Sequence, residues 1–305
     1  MHEGEPGRST DAPWIGRPGA RPGVLLLGGG DRPLVRAATK RLQPLITHHA
    51  DIVLADLEGR EDLSRVKADF AVVLGGDGSI LRAANQMGTG QVPVLGVNLG
   101  KLGFLADLSP NELEQVFPSV CAGDCRIVEH LMLNCRVLRG GRLLHERLGL
   151  NEAAVLGGPP YSMLDIDLYV DGELATTYGC DGLIVSTPVG STAHSLSAGG
   201  PILRKDLQAL VISPISPHTL TVRPVVDSAD RSYELVVHEP SEATSVVVDG
   251  RVLCKLAPQD RVCVQRAAPK FKLVEVSGHS YYRTLREKLG WGGRIKTTDR
   301  RVPGV

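Results

Sequence analysis

The sequence has 305 residues, of which 42% are apolar and 4% aromatic, enough for an aliphatic core in one large domain or two ordinary ones. The 34 basic and 34 acidic residues give a formal net charge of zero, so the electrostatic attraction that favours nucleic acids is missing. No apolar run reaches the length of a membrane span, and the N-terminus lacks the hydrophobic stretch of a secretory signal, so we expect neither a nucleic-acid nor a membrane partner.

The cysteine pattern favours a cytoplasmic protein with reduced thiols. There is no Cys-x-x-Cys pair, and a chain of this size with so many aliphatic residues does not need disulfide bonds for stability. Cys121 and Cys125 could share one helix face, but no cluster of further ligands completes a zinc site.

The first half of the chain predicts an α/β domain. Residues 1–22 are rich in glycine and proline, which is typical of a disordered tail. Between residues 23 and 125, short apolar runs alternate with segments of helical spacing, which predicts a parallel sheet with helices on its faces. The predicted strands lie at 24–30, 49–57, 70–74 and 92–100, and the predicted helices at 32–45, 80–87 and 109–123, the last with Ser109 as its N-cap.

The second half predicts an all-β domain at residues 126–278. Strand-like stretches follow one another across a Gly-Gly turn at 140–141 and an Asp-Gly turn at 171–172, and the second turn is a strong hairpin signal. Strands joined by such short turns favour an antiparallel sandwich. Residues 279–293 return to helical spacing, and we expect them to pack back on the first domain, ahead of a tail at 294–305.

A glycine-rich loop with one acid ends the most apolar of the predicted strands. The run "FAVVLGGDGS" places Gly75, Gly76, Asp77 and Gly78 at the carboxyl end of a parallel strand, where such sheets bind their ligands. Glycines allow the backbone to approach a phosphate, and the start of a helix favours negative charge. Asp77 would repel a phosphate unless it accepts a proton, which suits a base that activates a hydroxyl. The alternative is a plain turn with Asp77 as a helix N-cap.

Two common nucleotide-binding motifs are absent from the chain. No Gly-x4-Gly-Lys-Ser/Thr sequence occurs, which excludes a P-loop enzyme. Leu81 stands where a dinucleotide fingerprint requires glycine, so a Rossmann enzyme that transfers hydride is disfavoured.

Three further segments could line the same edge of the sheet. The segment "GVNLGKLGFLADL", residues 96–108, follows an apolar strand and taken alone favours a tight connection to a helix. Residues 180–203 are rich in glycine, serine and threonine directly after a strand-like run, which favours a ligand loop over a flexible linker. In "NEAAV", Asn151 and Glu152 could bind an adenine or a ribose, although alone such residues more often lie on a plain surface.

Together and in this order, these stretches resemble the NAD kinase family. The short glycine loop also occurs in lipid kinases and phosphofructokinases, whereas the segment from Asp181 to Leu203 is specific. The matching pieces span about residues 70–293 and are "GGDGS", "GVNLGKLGFLADL", "NEAAV", "DGLIVSTPVGSTAHSLSAGGPIL", "ISPHTLTVRPVV", "VVVDG" and "KLGWGG".

The resemblance implies a two-domain enzyme that transfers the γ-phosphate of ATP to the 2′-hydroxyl of the adenosine ribose of NAD, giving NADP. It implies Mg²⁺ or another divalent cation carried with ATP, and inorganic polyphosphate as a donor in some members. It also implies a cytosolic homodimer or homotetramer whose site is completed across subunits.

Residue by residue, the resemblance makes Asp77 the proton acceptor. Arg82 would reach a substrate phosphate, and Phe104 would lie near the adenine. Asn151 and Glu152 would hold the ribose and adenine of NAD. The full set of residues expected to bind the substrates is Gly75, Gly76, Gly78, Arg82, Phe104, Asn151, Glu152, Asp181, Thr192, Ala193, His194 and Ser197.

The chain departs from the usual family pattern at five positions. Val189 replaces a usual threonine, and His194 replaces a usual tyrosine whose flat ring would lie against the dinucleotide. Gly179 and Ser162 stand where many bacterial members have a basic residue or a histidine, and Arg251 stands where glutamine is common. These departures leave open the choice between NAD and NADH, but they do not touch the proton acceptor.

Two other functions stay open from the sequence. One is a kinase of the same loop class that acts on a lipid or a sugar, against which the serine- and glycine-rich segment and the lack of an amphipathic membrane stretch argue. The other is a dinucleotide-binding regulator without catalysis, which the changes at 189 and 194 motivate. The retained acid argues against a regulator, because a pure binding protein has little use for a carboxylate beside phosphates.

Overall fold

A mostly parallel sheet with helices on both faces is followed along the chain by a sandwich of two antiparallel sheets and a C-terminal helix. This confirms the predicted fold class. The computed structural model describes residues 8–9, 21–30, 32–100, 103–159, 163–219, 221–276 and 281–290. Ser162, most of the two predicted tails and the end of the predicted C-terminal segment therefore lie outside the described residues.

The first part of the chain contains the predicted alternation of strands and helices. Arg8 and Ser9, which fall in the segment expected to be disordered, form a two-residue edge strand. In chain order the elements are β1 Arg8–Ser9, β2 Gly23–Gly28, α1 Pro33–His49, β3 Asp51–Asp56, β4 Phe70–Leu74, α2 Asp77–Met87, β5 Val94–Val97, α3 Pro110–Cys121 and β6 Arg126–His130.

The second part consists mainly of strands. A short 3₁₀ turn, Gly190–Thr192, and a one-turn helix interrupt them. The elements are β7 Leu133–Arg139, β8 Arg142–Gly149, β9 Glu152–Leu156, β10 Leu164–Val170, β11 Glu173–Cys180, β12 Gly182–Ser186, α4 His194–Ser197, β13 Ala209–Ile215, β14 Val225–Ser228, β15 Tyr233–Val237, β16 Ser245–Val248, β17 Arg251–Lys255, β18 Arg261–Arg266, β19 Phe271–Glu275 and α5 Tyr281–Leu289.

The first sheet has the strand order β1-β6-β19-β5-β4-β2-β3. The four strands β2 to β5 are parallel, and β19 adds a fifth parallel strand beside β5. All five residues of β4 are buried, because α1 and α3 cover one face of the sheet and α2 covers the other. The glycine loop that follows β4 therefore lies at the carboxyl edge of the sheet, as predicted.

The predicted helix start at Ser109 is confirmed. The Ser109 hydroxyl accepts a hydrogen bond from the backbone N–H of Glu112, and the Glu112 carboxylate accepts one from the backbone N–H of Ser109. This reciprocal pair satisfies two donors that the first turn of a helix leaves free.

The sandwich consists of two six-stranded sheets, ordered β11-β10-β15-β18-β7-β8 and β14-β13-β12-β9-β16-β17. Alternating apolar side chains from both sheets fill the space between them. The hairpin expected at the Asp-Gly turn is confirmed: β10 and β11 pair directly across Asp171 and Gly172, with φ angles of 51° and 86°. Two successive positive φ angles match the twist of a two-residue hairpin.

The chain returns to the first domain earlier than the sequence predicts. The predicted all-β domain begins at 126 and ends at 278, but its first and last strands, β6 and β19, pair with each other inside the first sheet. Both strands mix apolar and charged residues over five positions, as sandwich strands do, so the local pattern cannot assign them to a sheet. The C-terminal helix α5 lies within the predicted segment 279–293 and contacts the loop that follows β5.

The two domains share one apolar core. Leu27 and Ile80 of the first domain belong to the same buried cluster as Met132, Leu150 and Val189 of the second. This cluster lies beneath the glycine loop and holds the candidate site residues of the two domains in one arrangement.

Among the helices of the described residues, none combines the length and the apolar character that a membrane crossing requires.

Candidate active site

The glycine loop after β4 has one closely packed side and one open side. Gly75 has a φ of 149°, its N–H donates to the carbonyl of Val97 at 2.8 Å, and a Cβ there would collide with the hydroxyl of Ser79. In contrast, a Cβ on Gly76 or Gly78 would meet no atom of the described chain within 4 Å. The structure therefore gives Gly75 a backbone role and leaves Gly76 and Gly78 facing free space.

Asp77 is the first residue of α2, but it does not cap that helix. The N-cap is Gly76, and no side chain caps the helix start. The Asp77 carboxylate instead accepts three backbone hydrogen bonds from the loop after β5. The N–H of Phe104 donates to Oδ2 at 2.8 Å, and those of Leu105 and Ala106 donate to Oδ1 at 2.9 and 3.0 Å. The carboxylate thus joins two predicted site loops, and 29% of its side chain stays exposed.

Two lysines that sequence reasoning missed converge on the same loop. The Lys205 amine donates to the carbonyl of Phe104 at 2.6 Å. The Lys288 amine, from α5, lies 3.9 Å from Asp77 Oδ2 and 4.4 Å from the centre of the Phe104 ring. Burial lowers the pKa of Lys205, and nearby carboxylates including that of Asp77 oppose this effect. Lys205 lies outside the motifs that match the family. Lys288 opens the matching piece "KLGWGG", but no motif indicates that its amine contacts the Phe104 loop, because the two contacts link residues about 100 or more positions apart.

A second buried acid, Asp249, holds the turn that presents Asn151 and Glu152. Its carboxylate accepts hydrogen bonds from the N–H groups of Leu150 at 2.8 Å, Asn151 at 2.8 Å and Glu152 at 3.2 Å. It also accepts one from the side-chain amide of Asn85 at 3.2 Å. Since Asn85 lies on α2, the same carboxylate connects the helix of the glycine loop to the second domain.

Glu152 carries a buried carboxyl group without a full set of partners. Its pKa is raised to about 8, mainly by burial and also by the negative charge of Asp249, while a hydrogen bond from the backbone N–H of His194 acts in the opposite direction. Within the described residues, its Oε2 atom is buried and makes no hydrogen bond. A protonated carboxyl group with a free oxygen can donate and accept, which suits a ligand hydroxyl or ring amine.

The serine- and glycine-rich segment wraps around Asn151. The Thr187 hydroxyl donates to the carbonyl of Leu150 at 2.6 Å, and the Thr187 N–H donates to the carbonyl of Asn151 at 2.8 Å. A Cβ on Gly190 would collide with the backbone of Asn151. The predicted ligand loop is therefore in direct contact with the predicted "NEAAV" site.

The predicted residues 192–197 follow immediately on this packed segment. Thr192 ends the 3₁₀ turn and its hydroxyl donates to the carbonyl of Val189 at 3.1 Å. Ala193 leads into α4, which contains His194 and Ser197. Through the backbone N–H of His194, this group joins Glu152.

Within one subunit, Asp181 lies apart from Glu152 and residues 192–197. It precedes β12, whose Gly182 pairs with Leu156, whereas Ser186 at the other end of β12 pairs with Glu152. The five steps along the chain from Asp181 to Ser186 span roughly 16 Å. Asp181 instead lies 4.0 Å from the imidazole of His218.

Arg82 also does not contact Asp77 in the described structure. Its Nη1 donates to the carbonyl of Glu58 at 2.9 Å, and its side chain packs against Gly59. Its Nε is buried and, within the described residues, has no hydrogen-bond partner.

Four of the five departures from the family pattern lie within the described residues, among them His194 at the start of α4. Val189 is 3% exposed in the core shared by the domains, where a valine packs well. A Cβ on Gly179 would lie 3.2 Å from the sulfur of Met163, a tight fit. Arg251 begins β17 and is exposed.

Among the described residues, no group of three or more His, Cys, Asp or Glu side chains could hold a metal ion.

Family models match most of the chain. The model of the ATP-NAD kinase N-terminal domain matches residues 34–125, and the model of the ATP-NAD kinase C-terminal domain matches residues 150–276. The NAD kinase of Rhodopirellula baltica is 57% identical over 289 residues, which cover 95% of this chain and 92% of that protein. The NAD kinase of Geobacter sulfurreducens is 41% identical and covers 83% of this chain and 89% of its own.

Two solved structures share the fold. A yeast NADH kinase in complex with NADH superposes with a TM-score of 0.82 at 24% identity, and the match covers 91% of this chain and 90% of that one. An NAD kinase from Archaeoglobus fulgidus in complex with ATP superposes with a TM-score of 0.69 at 27% identity, covering 89% of this chain and 100% of that one.

Proposed function

Because this chain belongs to the NAD kinase family, we infer that its site transfers the γ-phosphate of ATP to the 2′-hydroxyl of the adenosine ribose of NAD and so forms NADP. The chain is thus a phosphotransferase with an alcohol group as acceptor. The geometry of the site supports the roles that we propose for individual residues.

The observation that carries the mechanism is the placement of the Asp77 carboxylate. Oδ1 accepts two backbone N–H groups, whereas Oδ2 accepts one, and the chain neighbours of Asp77 are the open Gly76 and Gly78. Oδ2 is therefore the atom that accepts the proton of the 2′-hydroxyl. The alcohol oxygen attacks the γ-phosphorus, the bond to ADP breaks and its electron pair leaves with ADP. Little covalent chemistry is required of the protein, so positioning and charge neutralisation dominate.

The adenosine end of NAD would bind at Asn151 and Glu152. The side-chain amide of Asn151 and the protonated carboxyl of Glu152 supply donors and acceptors for a ribose or an adenine. The unpartnered Oε2 of Glu152 supports this role, because a buried oxygen without a hydrogen bond is costly until a ligand satisfies it. The segment 192–197 would enclose the rest of the dinucleotide.

The phosphoryl donor would approach the start of α2. Free backbone N–H groups and the helix dipole favour anions there, and the open glycines leave room for a phosphate. Mg²⁺ or another divalent cation would arrive as part of the ATP substrate and neutralise phosphate charge. Inorganic polyphosphate presents the same chain of phosphoryl groups and is the alternative donor.

The assembly we propose is a homodimer or homotetramer in the cytoplasm. Asp181 and its neighbour His218 lie at the far end of β12, which supports a role toward the dinucleotide of a second subunit rather than of their own. The six cysteines are free thiols, which fits a reducing compartment.

The test of the mechanism is Asp77→Asn in an assay with ATP, Mg²⁺ and NAD that measures NADP. We expect turnover to fall by about 10²-fold or more, the usual contribution of a general base. Because the carboxylate also anchors residues 104–106, NAD affinity and the melting temperature are measured in parallel, with the exposed Asp230→Asn as a control. Turnover within threefold of the unmodified enzyme would remove Asp77 from the mechanism. If the unmodified protein forms no NADP from NAD in this assay, the proposed function is wrong.

A further inference from the structure

The C-terminal helix α5 brings a cation into the catalytic region. The Lys288 amine lies 3.9 Å from Asp77 Oδ2 and 4.4 Å above the Phe104 ring, and only 27% of its side chain is exposed. The aromatic face and the carboxylate both attract the amine and keep it next to Asp77 of the glycine loop. The helix is otherwise fixed to the second domain, since the Tyr281 hydroxyl donates to the carbonyl of Leu203 at 3.0 Å.

The Lys288 amine keeps its hydrogen-bonding capacity for a ligand. At 3.9 Å its contact with Asp77 is electrostatic and exceeds hydrogen-bond length, and within the described part of the chain the amine donates to no other atom. An ammonium has three donors, and a phosphoryl oxygen is a suitable acceptor for any of them.

Two other cations of this region already make hydrogen bonds within the protein, although the Nε of Arg82 has no partner among the described residues. Lys205 donates its amine to the carbonyl of Phe104, and Arg82 donates Nη1 to the carbonyl of Glu58. Phosphoryl transfer nevertheless requires positive charge next to the transferred group, where negative charge is spread over three oxygens. Lys288 is the cation that the described structure places beside the proton acceptor.

We propose that Lys288 is a catalytic residue whose amine binds the transferred phosphoryl group next to Asp77. This inference rests on the proposed function. In the free enzyme the amine pairs with the Asp77 carboxylate, and when ATP binds it also contacts a γ-phosphate oxygen. During transfer the proton of the 2′-hydroxyl goes to Asp77 Oδ2, the new bond joins the ribose oxygen to phosphorus, and the electron pair of the broken bond leaves with ADP. Lys288 keeps its proton throughout.

The experiment compares Lys288→Met, Lys288→Arg and the control Arg286→Met, which removes one exposed positive charge from the same helix. We expect Lys288→Met to lower kcat at least tenfold while the Kd for NAD changes less than twofold. Lys288→Arg should recover part of kcat, and Arg286→Met should match the unmodified enzyme. Melting temperatures establish that the variants fold.

A second variant, Lys288→Ala, tests the proposal even if Lys288→Met folds poorly. In Lys288→Ala, added ethylammonium should restore turnover in a saturable manner, which a purely structural role of the side chain would not allow. The proposal would be overturned if the kcat of Lys288→Met were unchanged, or if it were higher, as expected for a lysine that inhibits the enzyme. It would also be overturned if Arg286→Met lost as much kcat as Lys288→Met. NADP formation by the unmodified enzyme in the same assay separates these outcomes from a failure of the proposed function.

Discussion

Two buried acids of the second domain differ in what their oxygens face. Asp249 accepts hydrogen bonds from three backbone N–H groups and from Asn85, so its carboxylate is fully used inside the protein. Glu152 has the N–H of His194 as a partner, while its Oε2 has none in the described structure. The first acid therefore builds the site, and the second is left to meet a ligand.

The raised pKa of Glu152 predicts a specific pH dependence of stability. The pKa is about 8 in the folded protein and 4.5 for a free side chain. Between these values the unfolded chain has already lost the proton that the folded protein retains, so the free energy of unfolding falls as pH rises through this window. Glu152→Gln removes the titration, and we expect its melting temperature relative to the unmodified protein to increase from pH 5 to pH 8.

The measurement is a series of thermal unfolding curves of both proteins across that pH range without NAD. The exposed Glu242→Gln serves as a control and should follow the unmodified protein. Parallel curves for Glu152→Gln and the unmodified protein would contradict the prediction and mean that the carboxyl is ionised in the folded state.

At the scale of elements, the start of α2 combines two kinds of glycine. Gly75 needs a positive φ and has the Ser79 hydroxyl against it, so its role lies in the backbone. Gly78 lies inside the first turn of the helix, has no unusual φ, and has open space where a side chain would be. A glycine at such a helical position costs stability relative to alanine, which suggests that its small size serves a ligand.

Gly78→Ala is expected to separate stability from activity. Alanine should leave the free energy of unfolding unchanged or raise it by up to about 1 kcal/mol, because alanine favours the helix. The added methyl group should crowd a phosphate, and we expect kcat/KM for ATP to fall about tenfold or more, a loss of about 1.4 kcal/mol of transition-state stabilisation.

Steady-state kinetics and thermal unfolding measure the two effects of Gly78→Ala. Gly75→Ala provides the contrast, since it should lower the melting temperature by straining the backbone. Full activity of Gly78→Ala would mean that no substrate approaches this part of the helix.

At the scale of the whole molecule, the chain crosses between the domains twice. It leaves the first sheet after β6 and returns through β19, which pairs with both β5 and β6. The shared core and the Asn85–Asp249 hydrogen bond then fix the helix of the glycine loop against the second domain. One subunit thus brings Asp77 against Phe104, and it brings the segment 187–197 against Asn151 and Glu152, but it leaves Asp181 at the other end of β12.

The separation of Asp181 predicts complementation between subunits. Asp77→Asn and Asp181→Ala should each have low activity alone, because each lacks one part of every site. Co-expressed chains with different tags would form mixed oligomers in which some sites receive an intact Asp77 from one chain and an intact Asp181 from the other. We expect purified mixed oligomers to make NADP measurably faster than either parent. Activity no higher than that of the parents would mean that Asp181 does not serve a neighbouring subunit.

Sequence patterns were enough to predict the alternating strands and helices of the first domain, the hairpin at Asp171, the helix start at Ser109 and the position of Asp77 at the carboxyl edge of the sheet. These features depend on residues close together in the chain, where apolar spacing, turn residues and caps have direct physical consequences. The reaction was predicted because the motifs and their order resemble those of the NAD kinase family.

The partners of these residues depend on the folded chain and could not be predicted from the sequence. The N–H groups that bind Asp77 and Asp249 belong to the backbone, so no particular side chain in the sequence indicates them. Lys205 and Lys288 reach the Phe104 loop from positions about 100 and 180 residues away, and the strands β6 and β19 look like sandwich strands until they pair in the first sheet. Such contacts arise from the packing of the two domains around one core, which leaves no local period in the sequence.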